Sequence, residues 1–405
     1  MRRTLSLASL LSLVLALMAP SRGGAEMWCA DPLWAHEWGV VVHGSSGAQR
    51  GGVGPVLPTH FHARTSTTGS ALGPPVRDMP VDGGERELPV LHFYSPSNWR
   101  PIPLGLQVGF THGEASLWYP QVDARRSAAD ANGSAARTER DRLVASRAAR
   151  TGLGPFTPLP RDPTRQLSWD HLVLEDAART APPPSTIGWV QRLRGFDRAL
   201  WVNGAAESER FVFYEARTRE TPAIRVTRGP TFAAGRRHYI LENVSTHPVH
   251  DVLLVHREAA ATYVLHAPSI PAGRSAGFVL EDHTIAPASL DAATRGAVRA
   301  SLVDSASPTP PTDYRWGGAR GCVMQRDPAQ PVERAADHRL YAHEADALLE
   351  VWGARAFDAQ GTTIVYREDV ALLDEVMPLT IHTDMYHFVE LRRASLALME
   401  NVALP

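Results

Sequence analysis

The feature that most limits the fold of this 405-residue chain is a series of short apolar segments between residues 187 and 285. They are rich in β-branched and aromatic residues and are bounded by Pro, Gly, Ser and Asn, a composition typical of strands that end in turns. A turn about every 8–12 residues favours an antiparallel sandwich. The segments are 211–214, 223–226, 238–244, 249–256, 262–266 and 276–280.

The remaining sequence adds strands at one end and helices at the other. Further strands are predicted at 37–43, 88–94, 104–110 and 115–119, where neighbouring prolines favour edge strands. Apolar residues at helical spacing predict helices over 290–303, 335–357, 368–376 and 386–400, with strands at 362–366 and 379–382. The fold class is therefore α+β: a mainly antiparallel β-sandwich with a helical C-terminal portion. Residues 241–254 resemble the core hairpin of immunoglobulin-like modules.

Composition divides the chain into five regions. We assign 1–25 to a leader, 26–121 to a β-rich region and 122–186 to a polar insert and Pro-rich linker. The insert is rich in Arg, Ala, Asp and Ser, with one helix near 136–150. The sandwich region spans 187–285, and an α/β region that packs on this body spans 286–405.

The leader has the pattern of a cleavable secretory signal. Arg2 and Arg3 precede an apolar run over 5–19, and small residues end at Ala25. The run is too short for a bilayer-spanning helix, and no later stretch reaches 18 uninterrupted apolar residues. We therefore expect export to the periplasm, cell surface or medium after cleavage near Ala25, without a membrane span.

The chain contains two cysteines, Cys29 and Cys322. In an oxidising compartment an even pair predicts one disulfide. A free, nucleophilic Cys322 is the alternative, although no activating base stands beside it in the sequence.

Charge and aromatic content bear on the partner. With 41 basic and 43 acidic residues, the chain lacks the basic stripe that nucleic acid binding requires. A carbohydrate or protein partner at the cell surface fits better. Five aromatic residues either line such a groove or fill the core: Trp99, Trp118, Tyr119, Trp189 and Trp201.

The first candidate site contains His36 and Glu37. Neighbours in a strand point to opposite faces, so they do not form one ligand pair. His36 is either a metal ligand or general base assisted by His60 and His62, or a residue packed at a sheet edge.

A second candidate site, made of three histidines, depends on the register of the predicted strands. If the turns near 247 and 261 are symmetric, His238, His256 and His266 form a row that zinc or copper could use. Otherwise they are scattered surface residues.

Near the C-terminus, His382, Asp384 and His387 offer a His–carboxylate pair. The alternative is that Asp384 caps a helix.

Familiar catalytic motifs are missing from the sequence. There is no Gly-x-Ser-x-Gly elbow and no phosphate-binding Gly loop. His343-Glu344 begins like a zinc-protease motif, but Ala347 stands where the second histidine belongs.

The block His36-Glu37-Trp38-Gly39 resembles the start of an uncharacterised family of secreted planctomycete and myxobacterial proteins, which open on His-Glu-Trp-Gly-Thr-Phe. Here Val40-Val41 replaces Thr-Phe. Similar blocks follow at 88–95, 117–120, 209–214 and 377–381. The resemblance implies export and a shared fold, and it transfers no catalytic residue.

These observations favour a non-catalytic binding or structural protein of the periplasm or cell surface, for which no cofactor is expected. A His-rich zinc or copper protein and a secreted hydrolase acting on glycan or peptide are the alternatives.

The mature protein is expected to start near Glu26 and to contain a Cys29–Cys322 bond. N-terminal sequencing and non-reducing peptide mapping of natively expressed protein check both. An intact Met1 together with two alkylatable thiols under denaturing conditions would contradict the export prediction.

Overall fold

The structure is a computed structural model that describes residues 31–43, 56–63, 84–98, 100–122, 166–230, 235–311, 333–334, 339–384 and 387–405. The predicted leader, Cys29, Cys322, Trp99 and most of the polar insert lie outside these residues.

Strands dominate the described part of the chain, as the α+β prediction requires. They are β1 (Asp31–His43), β2 (His62–Ala63), β3 (Gly84–Tyr94), β4 (Ile102–Gly109), β5 (Gly113–Tyr119), β6 (Gln166–Glu175), β7 (Trp201–Asn203), β8 (Ser208–Glu209), β9 (Val212–Thr218), β10 (Ile224–Arg228), β11 (His238–Asn243), β12 (Val249–Arg257), β13 (Thr262–Ile270), β14 (Ser275–Val279), β15 (Thr284–Ile285), β16 (Glu333–Arg334), β17 (Gly361–Glu368), β18 (Leu379–Thr383) and β19 (His387–Met399).

Four α-helices accompany these strands in the described ranges. They are α1 (Gly188–Arg194), α2 (Ala297–Leu302), α3 (Ala342–Phe357) and α4 (Val370–Val376). None of them has the length and apolarity that a bilayer span requires.

The strands form one large sheet and two small ones. The large sheet has the order β15-β13-β12-β17-β19-β1-β3-β9-β5-β2, with β16 paired to β19. The small sheets are β10-β11-β14 and β18-β4-β6-β7-β8. The large sheet draws its strands from the N-terminal, sandwich and C-terminal regions, so these regions share one framework.

Strand β1 separates the layers because its side chains alternate between the two faces of the large sheet. Trp34, Trp38 and Val40 pack under the helices α1, α2 and α3. On the opposite face, Leu33 packs against the five-stranded sheet and Val41 against the three-stranded sheet. All 13 residues of β1 are buried.

Three expectations about the strands are corrected by the pairing. Strand β3 is interior, between β1 and β9; its Pro89 sits in a bulge opposite Gly39, where the missing N–H disturbs the ladder least. The predicted immunoglobulin-like hairpin does not form, because β11 and β12 belong to different sheets. Residues 166–175, assigned above to the polar linker, form β6 within the five-stranded sheet.

The predicted helix over 386–400 is wrong: residues 387–399 form β19. This strand pairs in parallel with β1 over its full length and antiparallel with β17. Tertiary pairing overrides the helix propensity of the Leu, Ala, Glu and Arg residues in this segment. The predicted helices over 290–303, 335–357 and 368–376 are confirmed with shorter bounds, and the one near 136–150 lies outside the described residues.

A buried ion pair joins β1 to β19 on the five-stranded-sheet side. Glu37 and Arg393 are register partners, and the guanidinium Nε donates to the Glu37 carboxylate. Tyr214 donates to the other carboxylate oxygen. Arg393 also donates to Asp374 (3.0 Å) and to the Met377 carbonyl (2.8 Å), which fastens α4 to the sheet.

Substituting Arg393→Met is expected to lower the free energy of unfolding by about 3–5 kcal/mol, because the Glu37 carboxyl group loses its cationic partner in the interior. Arg299→Met is the matched control: it removes a partly exposed pair with Asp346 and should change stability by less than about 1 kcal/mol. Urea unfolding of the three proteins decides the comparison, and equal losses would contradict it.

Candidate functional site

The structure places His36 on the helix-facing side of β1 and pairs it there with a residue 308 positions away. His36 Nδ1 lies 2.7 Å from Glu344 Oε2, and both side chains are fully buried. Glu344 lies in the first turn of α3. The pair therefore joins the central strand of the large sheet to the helix that covers it.

Glu344 is held by three donors. Besides His36, the hydroxyl of Tyr94 donates to Glu344 Oε1 (2.9 Å), and the Tyr341 backbone N–H donates to Oε2 (2.9 Å). The Tyr341 bond is half of a helix-capping box. We call His36, His92, Tyr94, Tyr341, His343 and Glu344 the β1–α3 cluster.

The cluster reaches toward solvent at one point. His343 Nε2 lies 3.0 Å from the Tyr94 hydroxyl, and His343 is partly exposed whereas the other members are buried. Because the Tyr94 hydroxyl donates to Glu344, it accepts from His343. A continuous chain of hydrogen bonds thus runs from His343 through Tyr94 and Glu344 to His36.

Burial and charge set the protonation states. Burial alone would raise the pKa of Glu344, but the positive charge and hydrogen bond of His36 lower it to about 2. Burial, together with the Glu344 charge, raises the pKa of Tyr94 well above its usual range. Burial lowers the pKa of His92 to about 3, so this imidazole is neutral at neutral pH.

His92 stands directly opposite His36 on β3. Its ring stacks over Trp38 at 6.0 Å and packs against Phe196 at 4.8 Å. Sequence analysis missed His92, Tyr94 and Tyr341. The sequence offered a signal only for His92, which is a histidine inside an otherwise apolar strand segment.

The predicted assistance of His36 by His60 and His62 does not occur. These residues lie near the β2 edge, four strand positions from β1. His62 Nε2 instead contacts Glu207 (2.8 Å), and this pair is partly exposed. The His60 ring contacts Tyr119 at 5.1 Å. Glu37 points to the face of β1 opposite His36, as strand alternation predicts, and there it contacts Arg393.

The row of His238, His256 and His266 does not form either. His238 lies in the three-stranded sheet, away from β12. On β12, His256 opposes Tyr263, whereas His266 opposes Leu253. Positions 253 and 256 are three residues apart and so face opposite sides. His256 contacts Thr362 (2.8 Å) and Glu258 (3.0 Å).

At the C-terminus, Asp384 caps no helix, because a strand follows it. Its carboxylate contacts His387 Nδ1 at 2.7 Å, so one His–carboxylate pair forms, while His382 lies on β18 opposite Gly105. Of the aromatic residues proposed for a groove, Trp118, Tyr119 and Trp189 are core residues, and Trp201 is partly buried.

Within the described ranges, no three His, Cys, Asp or Glu side chains are arranged around one point as metal ligands. A small apolar recess opens between α1 and α3. It is lined by Trp38, Val90, Trp189, Arg192, Leu193, Ala347 and Val351. Arg192 pairs with Glu350 (2.6 Å) across the two helices.

No protein-family model and no curated protein matches the chain. Among solved structures, it is similar to the Fcho1 Mu homology domain from Danio rerio with bound Eps15 peptide. That match has 6% sequence identity, covers 92% of this chain and 96% of that chain, and has a TM-score of 0.30. A TM-score of this size does not establish a shared fold.

Stability is expected to fall in acid because the buried imidazoles must take up protons. Burial lowers the pKa of His92 to about 3 and of His43 to about 4, below the 6.5 of an unfolded histidine. Their contribution is therefore full above about pH 6.5 and decreases as the pH falls toward 4. Each group adds at most about 1.4 kcal/mol per pH unit.

The variant His92→Leu should remove one such group and flatten the decline between pH 6.5 and 4. Glu344 acts in a lower window, losing its contribution as the pH falls from about 4.5 to 2. Urea unfolding at a series of pH values measures the slope, with the exposed His266→Gln as control. An unchanged slope in His92→Leu would show that this imidazole is not buried as described.

Proposed function

We propose that this chain is an exported, non-catalytic binding protein of the periplasm or cell surface. The observation that carries the proposal is that the charged groups of the interior and the recess at the surface lie in different places. The β1–α3 cluster and the Glu37–Arg393 pair tie layers together in the interior. The recess between α1 and α3, by contrast, opens to the surface and is lined by apolar and aromatic side chains.

Such a lining suits recognition of an apolar or aromatic group rather than its chemical conversion. The core residues Trp38 and Trp189 form the floor of the recess, and Arg192 at the rim, which pairs with Glu350, has further N–H donors that can orient a ligand. The signal-like leader and the balanced charge support an exported protein whose partner is a carbohydrate or a protein.

A secreted hydrolase is the second candidate, and the His62–Glu207 pair favours it. The side chains are 30% and 24% exposed, so solvent reaches them. A carboxylate that orients an imidazole is the arrangement of a general base.

Replacing Val351, which is partly buried and lines the recess, by Arg should block binding without unfolding the protein. A deletion strain of the native host, complemented with Val351→Arg, is expected to keep the deletion defect although the thermal midpoint stays within about 3 °C of wild type. His62→Gln and the exposed Val244→Ser are expected to restore function. Full restoration by Val351→Arg would contradict binding at the recess. Loss of function in folded His62→Gln would favour the hydrolase.

A further inference from the structure

An exposed valine lies beside the recess between α1 and α3. Among the described residues two large apolar side chains are exposed, Val56 (69%) and Val244 (48%). A single exposed valine is ordinary. Val56, however, is fixed next to the recess, because Trp189, which lines the recess, donates from Nε1 to the Val56 carbonyl (2.8 Å). The chain therefore presents an apolar knob next to an apolar socket.

The segment that carries Val56 is anchored on its C-terminal side. Pro58 and Phe61 are buried, and Leu57 packs against the core under the helices. The Phe61 N–H donates to the Pro58 carbonyl (3.2 Å), and the Phe61 ring lies 6.1 Å from Trp189. These contacts hold Val56 at the surface, so that little conformational entropy is lost when it binds a partner.

The recess admits only a small apolar group. Its volume of about 10 Å³ leaves room for one group the size of a water molecule or a methyl. Its walls are apolar apart from Arg192 at the rim. A sugar ring therefore neither fits nor finds the hydrogen bonds that its hydroxyls need. The tip of an aliphatic side chain, presented by a protein, meets both conditions.

The charges at the rim of the recess complement a copy of themselves. Arg192 on α1 pairs with Glu350 on α3 (2.6 Å), and the two side chains are 39% and 55% exposed. A second copy turned about a two-fold axis brings its own acid to Arg192 and its own base to Glu350. In such an isologous contact the same patch serves on both chains, and opposite charges meet twice.

We propose that the recess binds Val56 of a second copy of this chain, so that two copies form a symmetric dimer through α1, α3 and residues 56–61. This inference rests on the proposed function, because it uses the same recess and names its partner. Each Val56 enters the recess of the other copy, while Arg192 and Glu350 exchange partners across the axis. The contact removes from water the more exposed of the two exposed valines in the described ranges.

The first test measures self-association of the full chain by sedimentation equilibrium over about a hundredfold range of concentration. Wild type is expected to form dimers. Val56→Asp should weaken the dimer about tenfold or more, because it brings a carboxylate to an apolar recess, and Val351→Arg should do so by filling the recess. Val244→Asp is the matched control. It adds the same charge at the other exposed valine and should leave dimerisation unchanged.

The second test asks whether Arg192 and Glu350 meet between copies. Arg192→Glu and Glu350→Arg each bring like charges together twice, so each variant alone should dimerise about tenfold more weakly or less. An equal mixture should form a heterodimer, because both acids of one chain then face both bases of the other. A pair confined to one chain cannot give this result, since it is broken in both variants.

The dimer is refuted if wild type remains monomeric over the whole range, if folded Val56→Asp dimerises like wild type, or if the mixed charge variants stay apart. The proposed function survives these results when Val351→Arg still fails to complement the deletion strain, because the recess then binds another partner. Complementation by a monomeric Val351→Arg would be the opposite case, in which the dimer exists but does not serve the function.

Discussion

The structure depends on neutralising the charged and polar side chains of one fully buried strand. Strand β1 carries His36 toward the helices and Glu37 toward the five-stranded sheet, and neither reaches water. An isolated charge in such a place is too costly to tolerate. Each face therefore supplies a partner: Glu344 hydrogen-bonds to His36 on one side, and Arg393 pairs with Glu37 on the other.

These two pairs also fix the register of β1. A shift by one residue would turn Glu37 toward Glu344 and His36 toward Arg393, so that two carboxylates would face each other on one side and Glu37 would lose its guanidinium partner on the other. Apolar alternation favours the native register as well, but Val40, Val41 and Val42 tolerate either face. The buried charges distinguish the registers where the valines do not.

Local structure followed from the sequence, whereas the assignment of strands to sheets did not. Length and β-branching identified most strands, and alternation placed His36 and Glu37 on opposite faces. The segment over 387–399 was misjudged because its composition suits a helix, while its pairing with β1 and β17 is tertiary. No short-range signal tells that β11 and β12 separate into different sheets.

The candidate site was predicted only in its first residue. His36 was identified from its motif, but its partner Glu344 lies 308 residues away, and His92 gave only a weak signal inside an apolar strand. The blocks that carry the resemblance to secreted bacterial proteins supply His36, Glu37, His92, Tyr94, Tyr214 and Met377. They meet in the structure around β1, although nothing in their spacing shows this.

The parallel pairing of β1 with β19 has a consequence for biosynthesis. Glu37 and Arg393 are 356 residues apart, so the centre of the large sheet joins an early segment to a late one. Contacts of such separation form slowly, because a long loop must close first. Strand β1 can pair early with β3, but it gains its other neighbour, β19, only after the residues between them have been made. Until then the edge of β1 that pairs with β19 has no partner strand, and its apolar side chains remain open to chaperones.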